Sequence, residues 1–226
     1  MCYVIAYNRH WCRNLSKRLE KKTGKNFVVI DNKKDLNRDH LNSINPKHIF
    51  FPHWSYIIPD EIFENFNCII FHMTDLPYGR GGSPLQNLII RGHTETMISA
   101  IQCVKEIDAG PVYLKKPLSL EGTADEIFLR SAKIIEDMIV NFTTKELKSQ
   151  PQKGEVVKFV RRKPEQSNLK NIKSINQIFD YIRMLDAEGY PKAFLDTNGY
   201  KYQFSDAEMK KNSIIAKVEI MEKKHE

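Results

Sequence analysis

The sequence predicts an α/β fold with a mainly parallel sheet and a small C-terminal α+β subdomain, on three observations. Short continuous apolar runs at Val4-Ile5-Ala6-Tyr7, Phe27-Val28-Val29-Ile30, His48-Ile49-Phe50-Phe51 and Cys68-Ile69-Ile70-Phe71 suit strands buried on both faces. Segments with helical apolar spacing alternate with them. A break at Ser149-Gln150-Pro151-Gln152-Lys153-Gly154 divides the chain into a core, 1–150, and a smaller part, 151–226.

The elements follow in order. After the first strand, Asn8 is placed to cap a helix whose face is Trp11, Leu15 and Leu19 and which Gly24 stops. A polar segment runs from the second strand to Asn45. Pro84 to Ile90 suits a helix that opens on proline, where the missing N–H does no harm. Ile98 to Val104 and Pro111 to Leu114 read as strands. Thr123-Ala124-Asp125-Glu126 forms a capping box for a long helix to about Lys148, with Ile127, Phe128, Ile134, Ile135, Met138, Ile139 and Phe142 as its core stripe. In the second part, Ser174 and Gln177 predict another capping box, and Ile175, Ile178, Phe179, Ile182 and Leu185 one face of a helix ended by Gly189. Residues 199–221 read as strands or a hairpin turning at Asp206.

Two residues stand out chemically. His72 is placed where the fourth apolar run ends, and open α/β sheets bind ligands at the carboxyl ends of their strands. Asp108 follows within Asp108-Ala109-Gly110-Pro111. A carboxylate beside a histidine fixes its tautomer and supports proton transfer near neutral pH. The plainer reading is a histidine satisfied by a backbone group, with Asp-Ala-Gly-Pro a simple turn. From the residues alone, both stay open.

Several motifs in order add a resemblance. His72, Leu76, Pro77, Arg80 and Pro84, then Gly92, Glu95 and Thr96, then Asp108-Ala109-Gly110, resemble formyltransferases that use 10-formyltetrahydrofolate. Trp54-Ser55-Tyr56-Ile57-Ile58-Pro59 resembles the segment that holds the pterin. Arg161-Arg162-Lys163-Pro164-Glu165-Gln166-Ser167 and Glu188-Gly189-Tyr190-Pro191-Lys192-Ala193-Phe194 resemble the second part of nucleotide-sugar N-formyltransferases, and the His72 loop that of the pseudaminic-acid-type branch, to which the formylation domain of linear gramicidin synthetase looks related.

The resemblance implies a Rossmann-like core and transfer of a formyl group to the amine of a nucleotide-linked amino sugar, a UDP-4-amino-4,6-dideoxy sugar first. His72 and Asp108 would be catalytic. Tyr56, Ile57 and Ile58, with Gly82 and Val104, Lys105, Glu106, Ile107 and Asp108, would hold the cofactor. Arg80 would contact substrate or brace its loop, bracing being preferred. The family's Asn, an oxyanion donor two residues before the histidine, is Ile70 here. Losing one such donor costs about 10²–10³ in rate. His53, Thr74 and backbone N–H groups of Gly79 to Gly82 are the replacements considered, in that order. Other readings are transfer to an aminoacyl-tRNA or a carrier-bound amino acid, hydrolysis of the cofactor, and a non-catalytic folate binder.

Composition bounds these readings. The chain has 226 residues, 41% of them hydrophobic, enough for one good core. No apolar run reaches the roughly 20 residues of a membrane span, and no secretory pattern opens the chain, so a cytoplasmic location is expected. Cys2, Cys12, Cys68 and Cys103 show no metal or disulfide spacing, and no metal is expected. No glycine-rich nucleotide fingerprint follows the first strand. The net charge is +7, but residues 151–226 hold 15 Lys/Arg against 11 Asp/Glu, which spreads it almost evenly. On that ground no nucleic-acid partner is expected, and residues 151–226 look too few for the nucleic-acid-binding domain of methionyl-tRNA formyltransferases. A homodimer is the assembly expected.

Overall fold

A computed structural model describes residues 1–223. Its strands are β1 (Cys2–Ala6), β2 (Asn26–Ile30), β3 (Ile49–Phe51), β4 (Cys68–His72), β5 (Tyr78–Gly81), β6 (Glu95–Gln102), β7 (Val112–Ser119), β8 (Val157–Phe159), β9 (Ala193–Asp196), β10 (Tyr200–Met209) and β11 (Ile214–Glu222). Its helices are α1 (Leu15–Thr23), α2 (Arg38–Ile44), α3 (Asp60–Phe63), α4 (Pro84–Ile90), α5 (Ala124–Thr144) and α6 (Ile175–Arg183). The described residues form two compact units: 1–81, 96–118 and 128–158 in the first, and 82–95, 119–127 and 159–223 in the second.

The first unit is built on a six-stranded sheet in the order β2-β1-β3-β4-β6-β7. The pairs β1/β2, β1/β3 and β3/β4 are parallel, and β4/β6 is antiparallel. This is the expected α/β class with a mainly parallel sheet. The strands carry unbroken apolar runs because both faces are covered: Val4, Ile5, Ile49, Phe50, Ile69 and Ile98 have no exposed surface. Phe128, Ile135, Met138, Ile139 and Phe142 of α5 are buried, as the apolar stripe predicts. Strand order runs outward in opposite directions from β1 and β3, so their carboxyl ends open a crevice of the kind in which α/β sheets hold ligands.

Several boundaries differ from expectation. Asn8 does not cap a helix; its side-chain oxygen accepts the Ser55 N–H at 3.3 Å. A 3₁₀ turn over His10–Cys12 intervenes, and α1 begins only at Leu15, after Asn14 in a left-handed conformation. Gly24 ends that helix as expected, at φ 64° with its N–H on Glu20 O. The polar segment before Asn45 contains α2, capped by Asn37, whose side chain accepts the His40 N–H at 2.9 Å. Its apolar stripe is too short to show as a period; Leu41 is its one buried residue.

The second unit contains α4, α6 and an antiparallel sheet in the order β11-β10-β9. The capping box at the start of α5 forms: the Thr123 N–H donates to Glu126 Oε2 at 2.8 Å and the Glu126 N–H to Thr123 Oγ1 at 3.3 Å. The Ser174 box does not; Ser174 makes no side-chain cap bond. Helix α6 stops at Arg183, before Gly189, and the Arg183 side chain donates to the carbonyls of Leu120 and Gly122. Asp206, at φ 50°, sits in a bulge of β10, and the hairpin turns later, where the Lys210 N–H bonds Ser213 O at 2.8 Å.

Candidate functional site

The carboxyl end of β4 delivers His72 to the first unit's polar centre. The ring is 8% exposed. Its Nε2 lies 2.8 Å from Gly79 O, and its Nδ1 lies 3.5 Å from Asp108 Oδ2. A carbonyl oxygen can only accept, so Nε2 carries a proton. The geometry therefore holds the Nε2 proton on the loop carbonyl and turns Nδ1 toward the Asp108 carboxylate.

Asp108 is held hard. It adopts φ 55°, a left-handed conformation that costs an L residue roughly 1–2 kcal/mol. Its Oδ2 accepts the Gly81 N–H at 2.9 Å, and its own carbonyl accepts Gln152 Nε2 at 2.8 Å. Two residues on, Gly110 passes so close to β6 that an added Cβ would lie 1.8 Å from Gln102 O. Only glycine fits there, which explains Asp-Ala-Gly at this bend.

Arg80 braces. Its Nε and Nη2 donate to Gln152 Oε1 at 3.0 and 2.8 Å, and Nη1 approaches Glu106 Oε1 at 3.4 Å. Thr74 is fully buried; its hydroxyl donates to Gly79 O at 3.4 Å, and its carbonyl accepts Ser99 Oγ at 2.7 Å. Gly82 falls in the second unit, where its N–H bonds Phe159 O at 3.2 Å and a Cβ would strike Arg161.

His53 follows the end of β3 with φ 52°. Trp11 and Phe128 meet its ring edge-on at 5.5 and 5.6 Å, and Nε2 lies 3.4 Å from Ser131 Oγ. Burial, helped by the Arg9 charge, pushes its pKa down to about 3. His53 is therefore neutral near pH 7. The unused cysteines are core thiols: burial raises Cys68, and raises Cys103 to about 12, so neither is a nucleophile.

The two segments expected at the cofactor lie beside one another. Ile58 and Cys103 share a core cluster with Val4, Ala6 and Ile62, against which Trp54 and Ile70 pack. Lys105 Nζ also approaches Asp60 Oδ2 at 3.7 Å. Ile58 is buried, while Tyr56, Ile57 and Ile107 are 45, 87 and 68% exposed. Large apolar side chains left open on neighbouring loops fit a flat, partly apolar ligand. Val104 is half-buried and Lys105 exposed, whereas Glu106 is engaged with Arg80 and Lys158. Sequence reading missed Gln152, whose side chain acts on residues 42 to 72 positions away, and the Gly79 carbonyl, a backbone atom that no side-chain pattern displays.

Comparison with known proteins places this geometry. Residues 164–221 match the model of the methionyl-tRNA formyltransferase C-terminal domain. A solved methionyl-tRNA formyltransferase from Clostridium thermocellum is 50% identical, covering 99% of this chain and 100% of its own, with a TM-score of 0.96. The curated methionyl-tRNA formyltransferase of Malacoplasma penetrans is 30% identical over 107 residues, 46% of this chain and 34% of the relative. The chain spans between about a third and a half of the curated relatives it matches. A 4-N formyltransferase from Francisella tularensis shares the fold, with a TM-score of 0.69 over 90% of this chain and 96% of its own, but only 14% of its residues.

These findings overturn the nucleotide-sugar expectation: likeness along the whole chain lies with methionyl-tRNA formyltransferase, and likeness to the sugar enzyme is of fold alone. The motifs that suggested a sugar hold structure instead. Gln166 Oε1 accepts the Lys163 N–H at 2.7 Å in a 3₁₀ turn, and Lys192 pairs with the buried Asp186. The size argument against the C-terminal domain fails too, since residues 164–221 suffice to match it. The chain belongs to the formyltransferase family, one-carbon transferases that take a formyl group from 10-formyltetrahydrofolate.

Proposed function

We propose that this chain transfers the formyl group of 10-formyltetrahydrofolate to the α-amine of an aminoacyl-tRNA, methionyl-tRNA first. The observation that carries this reading is the 50% identity, across the whole chain, to a methionyl-tRNA formyltransferase. On this reading a nucleic acid is the acceptor, which reverses the expectation drawn from the even charge.

The chemistry asks the protein for three things. An amine must be neutral to attack the formyl carbon, the carbonyl oxygen needs donors as it gains charge, and the leaving nitrogen needs a proton. The bond from amine to formyl carbon forms as the bond to the folate nitrogen breaks, and one proton passes from the first nitrogen to the second. His72 and Asp108 would handle that proton: Nε2 is fixed by Gly79, and Nδ1 faces Asp108 Oδ2. Tyr56, Ile57, Ile58 and 104–107 orient the flat donor against them.

Ile70 offers no hydrogen bond, so the donor must come from elsewhere. Thr74 and the Gly81 N–H are already committed. His53 ranks first. Phe51 pairs with Ile70 across β3 and β4, so His53 and His72 each stand two residues beyond a paired position. A neutral imidazole that takes the Ser131 hydroxyl on one nitrogen donates from the other.

The test is single-turnover release of tetrahydrofolate from 10-formyltetrahydrofolate, with methionyl-tRNA, uncharged tRNA, UDP-4-amino sugars or no acceptor. Release that requires the charged tRNA is the expected result. Release with sugars alone, or without any amine, would overturn it.

A further inference from the structure

We infer that Gln152 is a positioning residue of the reaction, fixing Asp108 and Arg80 in one rigid piece. The inference rests on the proposed formyl transfer only for its kinetic readout.

The side-chain amide of Gln152 has four hydrogen-bonding sites, two donors and two acceptor lone pairs, and all four are used. Nε2 donates to Asp108 O and Gly110 O, each at 2.8 Å. Oε1 accepts from Arg80 Nε at 3.0 Å and Nη2 at 2.8 Å. The two carbonyls bracket the bend in which Asp108 is left-handed and Gly110 runs against Gln102. Arg80 is joined by one peptide bond to Gly81, whose N–H holds Asp108 Oδ2. Gln152 therefore closes a ring: it grips the backbone of Asp108 while the residue beside its other partner grips the carboxylate.

The consequence is directional. Asp108 reaches His72 at 3.5 Å, already long for a hydrogen bond, so a shift of a few tenths of an ångström in the bend decides whether the proton is shared. The ring acts on the left-handed aspartate from both sides, at its backbone carbonyl and at its carboxylate. Asparagine carries the same amide but is one methylene shorter. Glutamate keeps the bonds to Arg80 and sets a negative oxygen against two carbonyls; leucine keeps the volume and loses all four bonds.

The experiment compares Gln152→Leu and Gln152→Glu with Asp108→Asn, alone and combined. Kinetics are read as kcat and KM for 10-formyltetrahydrofolate. We expect kcat to fall about 10- to 100-fold in both Gln152 variants with KM nearly unchanged, since misplacement by about 1 Å can cost 10²-fold. In the Asp108→Asn background the further loss should be less than about threefold, because both changes break one unit. Losses that multiply in the double variant, or a change in KM alone, would overturn the inference. A second readout needs no acceptor: ring ¹⁵N signals of His72, assigned with His72→Asn, should move in both Gln152 variants in the direction that Asp108→Asn moves them. Unmoved His72 signals in a folded Gln152→Leu protein would sink the positioning role even if formyl transfer is confirmed. Moved signals with no turnover in the wild type would leave the role standing and the proposed acceptor wrong.

Discussion

Two histidines stand at the carboxyl ends of neighbouring parallel strands, each two residues beyond the Phe51–Ile70 pair, and the protein treats them in opposite ways. His72 ends β4 with both ring nitrogens on oxygen, a loop carbonyl and a carboxylate. His53 follows β3 with its ring edge-on to Trp11 and Phe128 and a hydroxyl on one nitrogen. Burial among aromatic walls, with the Arg9 charge nearby, keeps the His53 ring neutral. Residue type and position on the sheet are shared, so neither sets the role. The difference lies in what other elements bring: the bend between β6 and β7 brings Asp108 to one ring, and α5 brings Phe128 to the other.

The sharpest way to break this comparison is to remove one member of the proton pair. His72→Asn and Asp108→Asn should each slow single-turnover formyl transfer by about 10²–10⁴, the range for one positioned acid/base group. The pair should cost little more than either alone. Equal, small losses in His72→Asn and His53→Asn would show that the two rings do not differ in role.

Much of this was legible in the sequence, and what was not has a common cause. The strands were legible because each is a continuous apolar run buried on both faces, as at Ile49–Phe51 and Cys68–His72. His72 and Asp108 were legible because each sits at a chemical discontinuity, a polar residue closing an apolar run and an Asp-Ala-Gly bend. Helix α2 was hidden because it buries only Leu41. Gln152 was hidden because its four bonds go to residues 42 to 72 positions away, two of them to backbone carbonyls that any residue at those positions would offer and two to a long guanidinium. The acceptor was misread for the opposite reason. Pro164–Ser167 and the segment around Lys192 are conspicuous, but their side chains cap a turn and satisfy Asp186. Conspicuous residues reported packing, and packing is common to relatives with different acceptors.

The neutral histidine makes a smaller, pH-dependent prediction. His53 has a folded pKa near 3, below the ordinary value near 6.5, and burial likewise lowers His48 to about 4. The unfolded chain therefore takes up protons that the fold refuses. Stability is full above pH 6.5 and is lost as pH falls through the acid range toward 3, by about 3 kcal/mol for His53 on reaching pH 4. Asparagine tolerates the left-handed conformation at this position, so His53→Asn suits the test. Its urea midpoint should be lower at pH 7, for the lost packing, and fall less steeply between pH 7 and 4. A slope equal to that of the wild type would place the acid sensitivity elsewhere.

The smallest effect expected is the most informative about how the two strand ends cooperate. Ile70 stands where the family carries an oxyanion donor, half-buried against the cluster of Val4, Ala6, Ile58 and Cys103. Ile70→Asn exchanges a packed apolar group for an amide with few partners, which should cost about 1–3 kcal/mol in chemical denaturation. If no other group serves the oxyanion, the same change should raise kcat, by at most about 10-fold. If His53 already donates, kcat should stay level in Ile70→Asn, fall in His53→Asn, and recover when the two are combined. That recovery would mean that the donor has moved from β4 to the end of β3, leaving an apolar residue free to pack beneath the pterin. Its absence would mean that His53 is held neutral for packing alone, and that the comparison between the two histidines is one of a working ring and a structural one.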